Sequence, residues 1–98
     1  MLVRTVRMTF HPDAVPDFLA LFEATAPRIR AASGCRHLEL WEDARYPNVL
    51  STYSLWTGED ALEAYRRSDL FRETWAETKR WFAAAPVAQS QRVRVTLT

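Results

Sequence analysis

The order of patterns along this chain predicts an α+β fold, β-α-β-β-α-β, built on one antiparallel sheet. Three observations predict it. Four segments read as strands, and three of them alternate with the period of two that marks a strand. Apolar residues recur instead at helical spacing between the first and second of these, and again between the third and fourth. No segment has the composition of a linker, a repeat or a low-complexity tract, so residues 1–98 are read as a single domain.

The first strand is Leu2 to Phe10, with Leu2, Val6, Met8 and Phe10 on one side and Val3, Thr5, Arg7 and Thr9 on the other. His11-Pro12-Asp13 breaks it, and His11 is read as a turn residue. Asp13 is a candidate helix N-cap, which places Pro16 in the first turn, where a missing N–H costs little. Val15, Phe18, Phe22, Thr25 and Ile29 then form one apolar face. Pro27 lies inside this helix and predicts a kink or a restarted last turn. Ser33-Gly34 ends it, with Gly34 as a left-handed cap.

Cys35 to Asp43 alternates again, Leu38 and Leu40 pointing one way and Cys35, His37, Glu39 and Trp41 the other. Arg45 to Asn48 is a turn. The third strand, Val49 to Trp56, sets Leu50, Thr52, Ser54 and Trp56 against Val49, Ser51, Tyr53 and Leu55. Thr57-Gly58-Glu59-Asp60 has the form of a capping box, and Ala61 to Arg67 is a short helix. Ser68 caps a longer helix that carries Phe71, Trp75, Thr78 and Phe82 and ends at Pro86. Gln91 to Thr98 is the last strand, with Val93, Val95 and Leu97 on one side.

This is the split βαβ arrangement of a ferredoxin-like sheet. Helices covering one face leave Trp41, Tyr53, Val93 and Leu97 on the other. A second copy's sheet would cover them, closing a barrel across a two-fold axis, so a homodimer through the sheet faces is expected.

Composition narrows the function classes. Thirteen basic against twelve acidic residues give +1, which argues against nucleic acid or an anionic membrane as the main partner. No run approaches the ~20 apolar residues of a membrane span, and MLVRTVRMTF lacks the apolar core of a signal peptide. A cytoplasmic location is the simplest expectation. A chain this short buries roughly 60–65% of its unfolded surface, and oligomerising would add stability. The single Cys35 excludes an internal disulfide and sites built from several Cys ligands, and is read as a packed small hydrophobe.

Ser51 to Phe82, STYSLWTGEDALEAYRRSDLFRETWAETKRWF, puts Trp at a strand end and a Ser-Asp-Leu-Phe step between two helices. That order resembles the antibiotic biosynthesis monooxygenase (ABM) domains, which are small dimeric α+β barrel proteins. The resemblance extends over the first strand, the helix leading to Ser33-Gly34-Cys35, and the Glu59-Asp60-Ala61-Leu62 step. It implies a pocket in each subunit between sheet and helices. It also implies oxygenation of small aromatic molecules, or of haem, with no flavin or protein-held metal as cofactor. Mapped here, the pocket is lined by Val6, Met8, Phe18, Phe22, Thr52, Ser54, Trp56, Tyr65, Phe71 and Trp75, an apolar cleft with few polar groups.

The members that degrade haem need an Asn on the first strand and a His on the long helix. Val6 and Trp75 hold those places here: Val6 cannot hydrogen-bond and Trp75 has no lone pair for iron, so haem is disfavoured. Other members carry a His in the short helix, where this chain has Tyr65. A Tyr there either binds a phenolate or quinol oxygen, acts as a base if its pKa is lowered, or packs with its hydroxyl outward; near its usual pKa of about 10 it is a donor. Trp56 either packs in the core or, with Tyr65, holds a substrate oxygen while Phe22, Phe71 and Trp75 sandwich the ring. His37 and Glu39 share a strand face and read as an interface pair rather than an acid–base dyad. The charged clusters from Arg66-Arg67 to Arg80 read as solvated helix faces.

Three functions compete. The first is a cofactor-independent monooxygenase of quinol- or anthrone-type aromatics. The second is a non-catalytic, aromatic-binding or stress-related homodimer on the same scaffold, distinguished by binding without turnover. An RNA-recognition module shares the element order, but NVLSTYSLW lacks the Gly and the basic start that module needs.

Overall fold

A computed structural model describes residues 1–98. The first and third strands take the centre of the sheet, whose order is β2-β3-β1-β4. β1 (Leu2–Thr9) pairs antiparallel with β3 (Val49–Trp56), matching Leu2 to Trp56 and Met8 to Leu50. β2 (Cys35–Glu42) takes one edge beside β3 and β4 (Val87–Arg92) the other beside β1. All pairings are antiparallel, and three helices complete the ferredoxin-like α+β fold: α1 (Val15–Arg30), α2 (Glu59–Arg66) and α3 (Asp69–Thr78).

Large residues close the two ends of the helix-facing side of the sheet. Leu2, Cys35, Trp56 and Leu62 form one buried cluster; Met8, Phe10, Phe18 and Leu50 form the other. Between them the same face carries the small residues Thr52, Ser54 and Ala88 beside Val6, Arg4 and Leu38, and space is left there. The position of the cavity thus follows from side-chain size along the strands.

Several local expectations are corrected. Asp13 caps nothing: a 3-10 turn, Pro12–Ala14, leads directly into α1, whose N-cap is Ala14. α1 runs through Pro27 as one helix and does not restart, because an unmade bond near the C-terminus removes little of the ladder. Gly34 does adopt a positive φ of 84°, but three residues beyond the C-cap Ala31. Its role is close approach: a Cβ there would lie 2.4 Å from the Ala61 Cβ.

Cys35 lies on the opposite face from that expected. An irregularity between Cys35 and His37 inserts Arg36 into β2, so Cys35 opposes Trp56 and His37 opposes Leu55. One extra residue reverses the pleat, which sends Cys35 into the core, 2% exposed, and leaves His37, Glu39 and Trp41 on the far face.

The Thr57–Asp60 capping box does not form. α2 starts at Glu59 with Gly58 as N-cap and no side-chain cap, while the Thr57 N–H is donated to the Gly34 carbonyl. α3 ends at Thr78, and a 3-10 turn, Lys79–Trp81, delivers Phe82 to an extended bridge with Phe10. Phe82 therefore packs from this bridge and not from the helix. The last strand lies earlier than expected, at Val87–Arg92, and Val93, Val95 and Leu97 follow it as exposed chain. No helix is long and apolar enough to cross a membrane.

Candidate ligand cavity

The space between the two clusters is a cavity of about 260 Å³, just below the roughly 300–1,000 Å³ typical of small-molecule sites. All ten residues expected at the pocket line it: Val6 and Met8 from β1, Phe18 and Phe22 from α1, and Thr52, Ser54 and Trp56 from β3. Tyr65 of α2 and Phe71 and Trp75 of α3 complete the set. Twelve of the nineteen lining residues are hydrophobic, so water bound there is readily displaced by an apolar ligand.

Eight aromatic rings form an unbroken chain of neighbours, and six of them line this space, Phe10 and Phe82 serving only to link the others. Trp56 stacks on Tyr65 at 5.1 Å, Tyr65 meets Phe71 edge-on at 5.3 Å, and Phe71 stacks on Trp75 at 5.9 Å. From Trp75 the chain passes to Phe82 and Phe10, both steps 5.5 Å, and on through Phe18 to Phe22. Offset and edge-on pairs of this kind contribute ~0.5–1.5 kcal/mol each beyond area burial. Ser68 fixes the corner where α2 and α3 meet: its hydroxyl accepts from the Phe71 N–H at 3.1 Å and donates to the Tyr65 carbonyl at 2.6 Å. One serine thereby sets Tyr65 against Phe71.

Polar groups at the cavity are few. The Trp56 indole N–H donates to the Ser54 hydroxyl at 2.9 Å, and Ser54 donates to the Arg4 carbonyl at 3.4 Å. Trp56 is 1% exposed, so its N–H is spent inside the protein and is not offered to a ligand. Burial pushes the Tyr65 phenol up to about 12, with the charge that Cys35 carries as a thiolate at alkaline pH adding to the rise. At neutral pH Tyr65 is therefore a donor, and the lowered pKa that a base would require is absent. Burial likewise pushes the Cys35 thiol up, which suits a packed residue and not a nucleophile.

Sequence reasoning missed Arg4 and Arg66, both of which line the cavity. Arg4 was legible, since period 2 puts it between Leu2 and Val6. Arg66, assigned to a solvated face, follows Tyr65 in the last turn of α2. No three His, Cys, Asp or Glu side chains gather as a metal site would require.

The far face of the sheet carries a second polar group. Glu39 accepts from His37 Nε2 and, at 2.7 Å, from the Trp41 indole, and Trp41 stacks on Tyr53 at 4.9 Å. These bonds, His37's first, hold the Glu39 carboxyl below its usual range.

A split βαβ sheet whose helices enclose an aromatic-lined cavity defines a ferredoxin-like α+β protein. More narrowly, the family model for antibiotic biosynthesis monooxygenase matches residues 1–77, and the chain belongs to that family. No curated protein sequence matches it significantly.

Solved structures share the fold at low identity. Rv0793 from Mycobacterium tuberculosis is 22% identical, with 99% of this chain and 98% of that one covered and a TM-score of 0.90. A conserved protein from Methanosarcina mazei Go1 is 20% identical over 94% and 92% of the two chains, TM-score 0.88. A mutant of SnoaB, a cofactor-independent oxygenase from Streptomyces nogalater, is 20% identical over 98% and 95%, TM-score 0.86.

Proposed function

We propose that this chain is a cofactor-independent monooxygenase of a small, electron-rich aromatic substrate of the quinol or anthrone type. The observation that carries the reading is the set of six aromatic rings lining a cavity with room for one small aromatic molecule. Family membership and the likeness to an oxygenase that works without a cofactor support it. The substrate supplies the electrons. Loss of a proton gives a carbanion or phenolate that reduces O₂; an anthrone methylene then becomes a quinone carbonyl, with one oxygen atom retained and the other leaving as water.

The protein contributes a dry, oriented site and a hydrogen bond to the developing oxyanion. Tyr65 is the donor in this reading. Phe71, Trp75 and Phe22 hold the ring, and Trp56 supports Tyr65 by stacking.

A homodimer formed through the sheet faces belongs to the same proposal. Trp41 is 45% exposed on the far face, stacked on Tyr53, and a second copy's sheet would bury both.

A second reading, an aromatic-binding homodimer without turnover, is favoured by one observation: the cavity holds no Asp, Glu or His that could take a proton. Oxygen uptake separates the two. Purified, metal-stripped protein is mixed with anthrones and quinols, and heat-killed protein gives the autoxidation rate. Saturable uptake that falls in Tyr65→Phe supports the monooxygenase. Uptake equal to the control, with Trp fluorescence quenched by the same compounds, supports the binding protein.

A further inference from the structure

Two of the nineteen residues lining the apolar cavity carry charge, Arg4 and Arg66, and neither Asp, Glu, His nor Lys joins them. Arg4 comes from the middle of β1 and Arg66 from the last turn of α2, so two separate elements deliver positive charge to one cavity. Neither guanidinium is neutralised by a close buried partner. Arg4 donates to the neutral Ser90 hydroxyl at 3.0 Å, and Arg66 has only a half-exposed carboxylate, Glu63, at 3.5 Å. Their mutual repulsion is felt: burial and then the Arg66 charge lower the Arg4 pKa, against a smaller opposing effect of Glu63. The other titratable groups nearby, Tyr65 and the Cys35 thiol, are neutral at physiological pH because burial pushes both up. Two positive charges against one negative, beside an apolar space, form an arrangement that an anion would relieve.

We infer that Arg4 and Arg66 form the anion-recognition end of the cavity, and that its ligand is an aromatic with an acidic oxygen or enolisable carbonyl, bound as the oxyanion. The inference rests on the cavity's being an aromatic site, as proposed above. The ring lies among Phe71 and Trp75 and the oxygen points toward the guanidiniums. A guanidinium stays protonated, so it acts by field and hydrogen bonding and not as a base. Stabilising the anion raises the acidity of the bound ligand. The ligand's O–H or adjacent C–H bond then breaks with its electron pair left on the ligand, and the proton leaves to solvent water. A site of this kind requires no carboxylate or imidazole base, which accounts for their absence from the lining.

The test uses 7-hydroxycoumarin, whose phenol and phenolate absorb differently, and coumarin itself as the neutral control. The bound reporter is titrated by absorbance in the wild-type protein and in Arg4→Met and Arg66→Met. Circular dichroism confirms folding, and Arg66, at the exposed end of a helix, gives a variant that should fold even if Arg4→Met does not. The expected result is a rise of about tenfold or more in the reporter's acidity constant on binding. Each substitution should reverse most of it while coumarin binding stays unchanged. A reporter that binds with unaltered acidity, or equally well in all three proteins, would overturn the anion-recognition end and leave the aromatic cavity standing. If neither reporter nor coumarin binds, the cavity reading fails, and this inference fails with it.

Discussion

The indole N–H of Trp56 is donated to the hydroxyl of Ser54 two residues earlier on the same strand, at 2.9 Å. Residues i and i+2 share a strand face, so the pair is set by the sequence itself. The bond takes the indole out of ligand chemistry and leaves Tyr65, two arginines and the hydroxyls of Thr52 and Thr74 as the polar groups a ligand can meet. Ser54→Ala should therefore destabilise the protein by about 1–3 kcal/mol, since it strands a buried N–H. Urea unfolding measures this. An unchanged midpoint would mean that another group can replace Ser54.

Gly34 is the one glycine that the fold requires. Its φ of 84° and the 2.4 Å approach of a built Cβ to Ala61 both oppose any side chain. Gly34→Ala should cost more than the ~1–2 kcal/mol of the left-handed backbone alone. Gly58, with nothing within 4 Å, is the internal control, and Gly58→Ala should lose only the N-cap preference for glycine over alanine, about 1 kcal/mol or less. Thermal melts that rank the two the other way would contradict the close approach of the α1–β2 turn to α2.

Tyr65 makes stability depend on alkaline pH. Its folded value of about 12 exceeds the ordinary 10.0, so its contribution is whole below about pH 10. The unfolded chain ionises first as pH rises, so this contribution drains between about 10 and 12 and is gone above that window. Two pH steps at ~1.36 kcal/mol each give a loss on the order of 2–3 kcal/mol. Denaturation at several alkaline pH values should show this slope in the wild type and lose it in Tyr65→Phe. Equal slopes would place the hydroxyl in solvent.

Trp41 tests the homodimer. Sedimentation velocity should find wild-type protein dimeric at micromolar concentration, and Trp41→Ala shifted toward monomer with unfolding still cooperative. A wild type that sediments as a monomer at high concentration would remove the proposed sheet-to-sheet interface.

Much of this molecule was legible where one pattern decided the outcome. Val49–Trp56 was bounded correctly because the run carries the strand-favouring residues Val49, Thr52, Tyr53 and Trp56 and turn residues flank it. The ten expected cavity residues all line the cavity, because resemblance located the site and period 2 assigned the strand faces. The errors arose where a distant partner decided. The hydropathy of Val93, Val95 and Leu97 suggested a strand at the C-terminus, yet the Phe10–Phe82 bridge and the Ala83 N–H to Thr9 carbonyl bond start pairing with β1 earlier. The modest VAQSQR segment became β4 by position. The extra residue Arg36 left no local mark, so Cys35 was placed on the wrong face. Thr57 has the chemistry of a cap but is held by Gly34 from across a loop.

The central claim is that the aromatic cavity oxygenates its ligand without a cofactor. The most direct measurement is turnover of an anthrone under isotopically labelled dioxygen by metal-stripped protein, with mass spectrometry of the product. The account predicts one labelled oxygen atom per quinone formed, at a saturable rate that falls at least tenfold in Tyr65→Phe. Quinone formed no faster than with heat-killed protein, or formed without label, would contradict it.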